Sequence, residues 1–216
     1  MAAESRHYLL LLAGLLLLGA AALCDVRTAG WVHEHRVFEV VQRSHVAKIA
    51  KWPGDFRFTL VIAAAILGMW PRRWCGVLVL LFGGVLAGLF YTLVKWSVGR
   101  TRPFPRNIPA VGAFEFHPFR RGIEGLWKAD NQAFPSGHAC LAFATAATLS
   151  GMFPRGRVWF YFAALMVGVE RVLENAHYPS DVAGGLIFGA LASMAAAKCV
   201  HRLFPPSVES QGFPVE

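Results

Sequence analysis

Long apolar runs alternate with short polar breaks along this chain. The runs are Tyr8 to Leu23, Phe56 to Trp70, Cys75 to Val98, Gly137 to Phe153, Val158 to Leu173 and Val182 to Val200. Two of the breaks are short and rich in proline and arginine: Pro71-Arg72-Arg73 and Pro154-Arg155-Gly156-Arg157. A bilayer-crossing helix needs roughly 17–25 apolar residues. The pattern therefore predicts an all-α, integral membrane bundle of six transmembrane helices in a single domain, residues 1–216. Several runs lie near the lower limit, so their helices are expected to extend into the flanking segments. The first run also has the form of a signal peptide: Arg6 and His7, a Leu core, then Gly19-Ala20-Ala21-Ala22. Glu4 weakens that reading, and the six-span prediction keeps the run as a helix.

Two longer segments are mixed in character. In residues 25–55, Val37, Val40, Val41 and Ala47 recur at helical spacing, with Arg36, Arg43, Lys48 and Lys51 elsewhere on the wheel. This predicts an amphipathic helix in the headgroup layer, or else a solvated connector. Pro103 to Phe134 reads as a polar and aromatic loop. Gly84/Gly88 and Gly185/Gly189 have the four-residue spacing of close helix packing.

Composition sharpens this. Of 216 residues, 56% are hydrophobic and 16% charged, against about a quarter charged in ordinary soluble domains. The net charge of +8 allows nucleic acid, anionic lipid or a phosphate-bearing substrate. The apolar runs argue against nucleic acid. Cys24, Cys75, Cys140 and Cys199 are scattered without metal-ligand or disulfide spacing, and no metal site is expected.

Six spans put both termini and both short Arg-rich breaks on one side, read as cytoplasmic. The opposite side carries more cations in total: Lys95, Arg100, Arg102 and Arg171 among them. Those cations are expected to be held by a phosphate rather than free to orient the chain.

Three clusters fall on that second side. Arg171, His177 and Asp181 lie between two apolar runs, where ionisable groups are costly and point to function. Asp181 can hold one His177 ring nitrogen, leaving the other to attack, with Arg171 beside it for an anion. Alternatively, Asp181 is simply a helix N-cap. Lys95 and Arg102 lie seven residues apart, on one helical face, as anion ligands or as snorkelling boundary cations. Ser136 and Gly137 open a helix and offer a hydroxyl and unpaired N–H groups to an anion, and His138 can give or take a proton. Ser136 can equally be a plain turn and cap. Together these groups suit phosphoryl transfer, which depends on positioning and charge neutralisation.

The three motifs resemble those of the type 2 phosphatidic acid phosphatase superfamily, which includes membrane lipid phosphatases and relatives of vanadium haloperoxidases. The resemblance rests on Lys95 with Arg102-Pro103, on Pro135-Ser136-Gly137-His138, and on Arg171, His177 and Asp181, across about residues 83–190. It implies a six-helix fold and hydrolysis without a metal or other cofactor. It implies His177 as the nucleophile forming a phosphohistidine, Asp181 orienting it, and His138 protonating the leaving oxygen. Lys95, Arg102, Arg171, Ser136 and the Gly137 N–H hold the phosphate. A neutral His177 and a protonated His138 imply a bell-shaped pH profile. One position departs: Glu170 stands where the family has serine. It must turn away from the phosphate or pair with an arginine.

The expected activity is removal of a terminal phosphate from a lipid at the outer membrane face. Candidates are phosphatidate, phosphatidylglycerol phosphate, polyprenyl diphosphate and lipid A-type phosphates. A phosphotransferase with the same intermediate, and a non-enzymatic lipid-binding or transport protein, are the alternatives. The loop from Phe104 to Phe134, with aromatic and basic side chains from Phe114 to Lys128, is expected to cover the headgroup or to form an interfacial belt.

Overall fold

A computed structural model describes residues 2–103 and 132–205, with side chains from Leu12 onward. The region between Phe114 and Lys128, and with it the expected headgroup cover, lies outside the described residues. So does the tail beyond Pro205.

The described residues form eight α-helices and no strand: α1 Ala2–Glu34, α2 Val37–Arg43, α3 His45–Ala50, α4 Phe56–Met69, α5 Trp74–Val98, α6 Gly137–Met152, α7 Arg157–Leu173 and α8 Pro179–Leu203. The first predicted run continues as helix well past Leu23. It ends just before Arg36, whose left-handed backbone (φ 51°) turns the chain.

The single amphipathic helix predicted within residues 25–55 is therefore divided. Ser44 breaks it and caps α3 by accepting from the Ala47 N–H, and Pro53 sits in a tight turn, Trp52–Gly54, before α4. Neither α2 nor α3 buries a residue fully. Both lie against α7, with Val40, Val46 and Ile49 left exposed.

Three helical stretches among the described residues are long and apolar enough to cross a membrane: Leu12–Glu34, Pro71–Val98 and Pro179–Leu203. A fourth exists if His45–Gly54 and Phe56–Met69, bent by 70°, count as one span. At 16 and 17 residues, α6 and α7 fall short at about 1.5 Å per residue. Their shortness follows from the Pro-Arg-Gly break between them and from the polar motifs at their other ends.

The core is built around α6. Its sequence is dominated by Ala, Gly, Thr and Cys, and all but a few of its residues are buried, as expected of a helix enclosed on every side. It packs against α5, α7 and α8. The α6–α8 approach depends on glycine: a Cβ on Gly189 would lie 2.4 Å from the Cys140 carbonyl oxygen, and one on Gly185 2.8 Å from Ala139 Cβ. The other glycine pair behaves differently. Gly84 abuts the Phe56 ring, whereas Gly88 faces open space. Buried hydroxyls are paired across helices, Thr59 with Thr145 at 3.2 Å and Thr148 with Ser193 at 2.9 Å.

Outward faces of α1, α5 and α7 carry large exposed apolar side chains, including Leu16, Leu89, Leu93, Trp159 and Phe162, as lipid-facing surfaces do. The two short breaks meet at one end. Arg73 donates to the Met152 carbonyl and lies 4.5 Å from the Phe153 ring centre. Trp74 meets Phe204 at the same end.

Candidate active site

The other end of the bundle gathers the three sequence clusters. Helix α5 stops because Gly99 adopts a left-handed conformation (φ 61°) and donates its N–H to the Lys95 carbonyl at 2.9 Å. Glycine takes that conformation at little cost. The chain then turns back, and the Arg100 carbonyl accepts from Ala133 N–H at 2.8 Å. Ser136 N–H donates to the Asp181 carbonyl at 2.9 Å. Backbone hydrogen bonds thus join the segment after α5, the start of α6 and the start of α8.

Lys95 is buried, with Nζ 5.1 Å from the Tyr91 ring centre. The same ring packs 3.4 Å from where a Gly137 Cβ would sit. Ser136 is fully buried and caps α6: its hydroxyl accepts from Ala139 N–H at 3.4 Å. The capping alternative for Ser136 is thus realised, through a long bond that is readily exchanged. Asp181 is also fully buried, and Oδ2 accepts from Tyr178 N–H at 2.8 Å. The same oxygen lies 3.5 Å from His177 Nδ1. That separation is at the long limit for a hydrogen bond. It leaves Nε2 as the ring nitrogen turned from the carboxylate.

His177 lies in the turn between α7 and α8, 3% exposed. Burial pushes its pKa down to about 4; Asp181 opposes this, while Arg102 and Lys95 add to it. His138, at the start of α6, is in electrostatic reach of His177, Arg171, Lys95 and Lys51. Residues from all three motifs therefore act on one another. Asn175 in the same turn has a left-handed backbone (φ 57°), a conformation asparagine tolerates at a helix C-terminus.

Arg171 is held by carboxylates. Nε and Nη2 donate to Glu170 at 2.6 and 2.8 Å, and Nη2 also pairs with Glu174. The departure at Glu170 is resolved as pairing: its charge is spent on the arginine next to it. Arg100 likewise binds carboxylates, Asp181 Oδ1 at 2.6 Å and Asp25 Oδ2 at 2.7 Å. Both guanidinium groups are thus engaged by protein carboxylates, and a phosphate at Arg171 would share it with Glu170 and Glu174.

Sequence reasoning missed Asp25, Lys51 and Gly54, and did not find the carboxylate partners of Arg100. Asp25 is a charge inside an apolar helix, buried on one face with Ala29 and Val32. That intramembrane carboxylate was the available signal. Gly54 lies on α6 so closely that a Cβ would meet the His138 carbonyl oxygen at 2.8 Å. Among the described residues no group of three or more His, Cys, Asp or Glu is arranged to hold a metal.

A family model described as "PAP2 superfamily" matches residues 76–205. The chain is 40% identical over 124 residues to "Lipid A 1-phosphatase" of Rhizobium johnstonii, covering 57% of this chain and 47% of that one. It is 28% identical over 159 residues to "Lipid phosphate phosphatase 2" of Arabidopsis thaliana, covering 63% and 53%. The chain thus spans about half the length of the curated relatives it matches. The crystal structure of Aquifex aeolicus LpxE shares the fold, with TM-score 0.54 and 19% identity over 76% of this chain and 93% of that one.

Proposed function

Since the chain belongs to the PAP2 superfamily, we propose that it is an integral membrane lipid phosphatase working through a phosphohistidine on His177. The observation that carries this is the buried His177–Asp181 pair, 3.5 Å apart, with Lys95 and Arg102 acting on it. Asp181 holds the Nδ1 side, so Nε2 attacks phosphorus and the P–O bond to the lipid breaks. His138 gives a proton to the departing oxygen. Lys95, Arg102, Arg171, Ser136 and the Gly137 N–H take the phosphoryl oxygens, replacing water with fixed charge. Water then attacks the phosphohistidine, His138 accepts its proton, and inorganic phosphate leaves. Neither step as written calls on a metal.

The proposed topology has six spans, with α6 enclosed by its neighbours and α7 at the periphery. The site end faces outward and the Arg-rich breaks face the cytoplasm. Segments α2 and α3 lie in the headgroup layer. The relatives named for lipid A and lipid phosphates make a lipid A-type 1-phosphate the first substrate to offer, with phosphatidate second. The test is phosphate release from both by purified protein in chelator, with trapping of an acid-labile phosphoenzyme. Release and phosphoenzyme that both disappear in His177→Ala support the reading. Phosphate release that survives in His177→Ala overturns it.

A further inference from the structure

Asp25 is a buried carboxylate on α1, outside the residues the family model matches. Its Oδ1 accepts from Ser180 N–H at 2.9 Å, and its Oδ2 accepts from the Ser180 hydroxyl at 2.5 Å. Oδ2 also accepts from Arg100 Nη2 at 2.7 Å. The other end of that guanidinium, Nη1, donates to Asp181 Oδ1 at 2.6 Å and to Ser180 Oγ at 2.7 Å. Arg100 is 3% exposed, and its guanidinium carbon lies 4.0 Å from the Tyr178 ring centre. A guanidinium fork gripped at both ends by carboxylates has little freedom to rotate.

The charges decide what this chain of contacts does. Arg100 alone would cancel the negative charge of Asp181, leaving no net anion to steady a positive His177 ring. Asp25 adds a second negative charge, so the cluster carries one net negative charge beside the imidazole. In a buried site such a charge is weakly screened.

We propose that Asp25 is a positioning residue: acting through Arg100, it fixes the orientation and net charge of the Asp181–His177 pair, so that α1 takes part in tuning the nucleophile. This rests on the reading of His177 as nucleophile, but the geometry can be tested without turnover.

Groups facing His177 are Asp181 from α8, Lys95 from the end of α5, Arg102 from the segment after it, and His138 from α6. Arg171 lies on α7, and Arg100 and Asp25 lie behind Asp181. Removing a negative charge behind Asp181 disfavours the imidazolium; removing a positive one favours it. The two substitutions therefore shift His177 in opposite directions.

The experiment is a histidine-selective NMR titration of the full chain in detergent, with His177→Ala to assign the signal. Wild type, Asp25→Asn and Arg100→Gln are compared. The midpoint of His177 is expected to fall in Asp25→Asn and to rise in Arg100→Gln. The kcat for a lipid phosphate is expected to fall about 10- to 100-fold in Asp25→Asn, the scale of losing an outer partner of a reacting group, with KM within about twofold. Adding Asp25→Asn to Arg100→Gln should cost little more. Unchanged midpoints, or shifts of the same sign in both variants, overturn the proposal. If the wild type releases no phosphate from any lipid, the phosphatase reading fails while the titration still decides the role of Asp25.

Discussion

The two halves of this molecule hold the same site by different means. From α5 onward, helices approach closely through small residues: glycines 185 and 189 bring α8 onto the backbone of α6. There the reacting groups are placed by rigid helix ends and backbone hydrogen bonds. The part before α5 is looser. Only a few residues of α1 are buried, and α2 and α3 bury none. Yet this half contributes Asp25 and the Gly54 turn against His138. On the proposed reading, the difference separates supplying chemistry from adjusting it. The first requires residues at fixed short spacings on packed helices, whereas the second can be done by one side chain reaching in from a peripheral helix.

The comparison can be broken or sharpened by experiment. His177→Ala in the packed half is expected to reduce phosphate release by more than about a thousandfold, since groups acting as a unit fail together; single-turnover assays measure this. The acid limb of kcat/KM should lie near pH 4, not near 6.5, because burial lowers His177 and the ring must be neutral to attack. On the proposed mechanism the rate falls about tenfold per unit below that pH, and falls again at higher pH where His138 loses the proton it must donate. A limb at 6.5 would show His177 to be hydrated in the working enzyme.

Next come the glycines. Gly189→Ala should lower stability by about 1–3 kcal/mol or more through overpacking. Gly88→Ala, in open space, should be neutral or slightly stabilising; thermal unfolding in detergent compares them. Smaller still, Glu170→Ser releases one carboxylate from Arg171. It should tighten inhibition by inorganic phosphate by roughly fivefold, about 1 kcal/mol. The smallest effect belongs to the peripheral half. Trp52→Phe, at an exposed ring, should remove part of the fluorescence quenching by brominated lipids.

Much of the packed half was legible in the sequence, because its signals are local. Lys95 to Arg102, Ser136 to His138 and Arg171 to Asp181 are each short windows, and each lies at a helix terminus. The glycine spacing at 185 and 189 likewise follows from helical geometry. What was not legible depends on distance along the chain. Asp25 meets Ser180 across 155 residues, and no spacing rule joins them. The sequence offers a phosphate as the partner of Arg100, because its carboxylate partners come from distant α1 and α8. The pairing of Arg171 with Glu170 and Glu174 could be guessed only in part, since adjacent residues do not usually face one another on a helix. Helix lengths were misjudged for a related reason. The first run continues beyond its leucines to Glu34, and the segment after it is cut by Arg36 and Ser44, where backbone turns override apolar spacing.

The brevity of α7, whose apolar face is exposed, has a consequence for the surrounding lipid. Seventeen residues span about 26 Å, some 4 Å less than a typical hydrocarbon slab. A bilayer meeting this face must pinch inward there, or, on the proposed reading, the phosphate-bearing lipid must sink below its neighbours to reach the end of the short helix. Pinching is easier when acyl chains are short. Turnover in vesicles should therefore rise as the host lipids are shortened, making membrane thickness a control on the rate independent of the identity of the substrate.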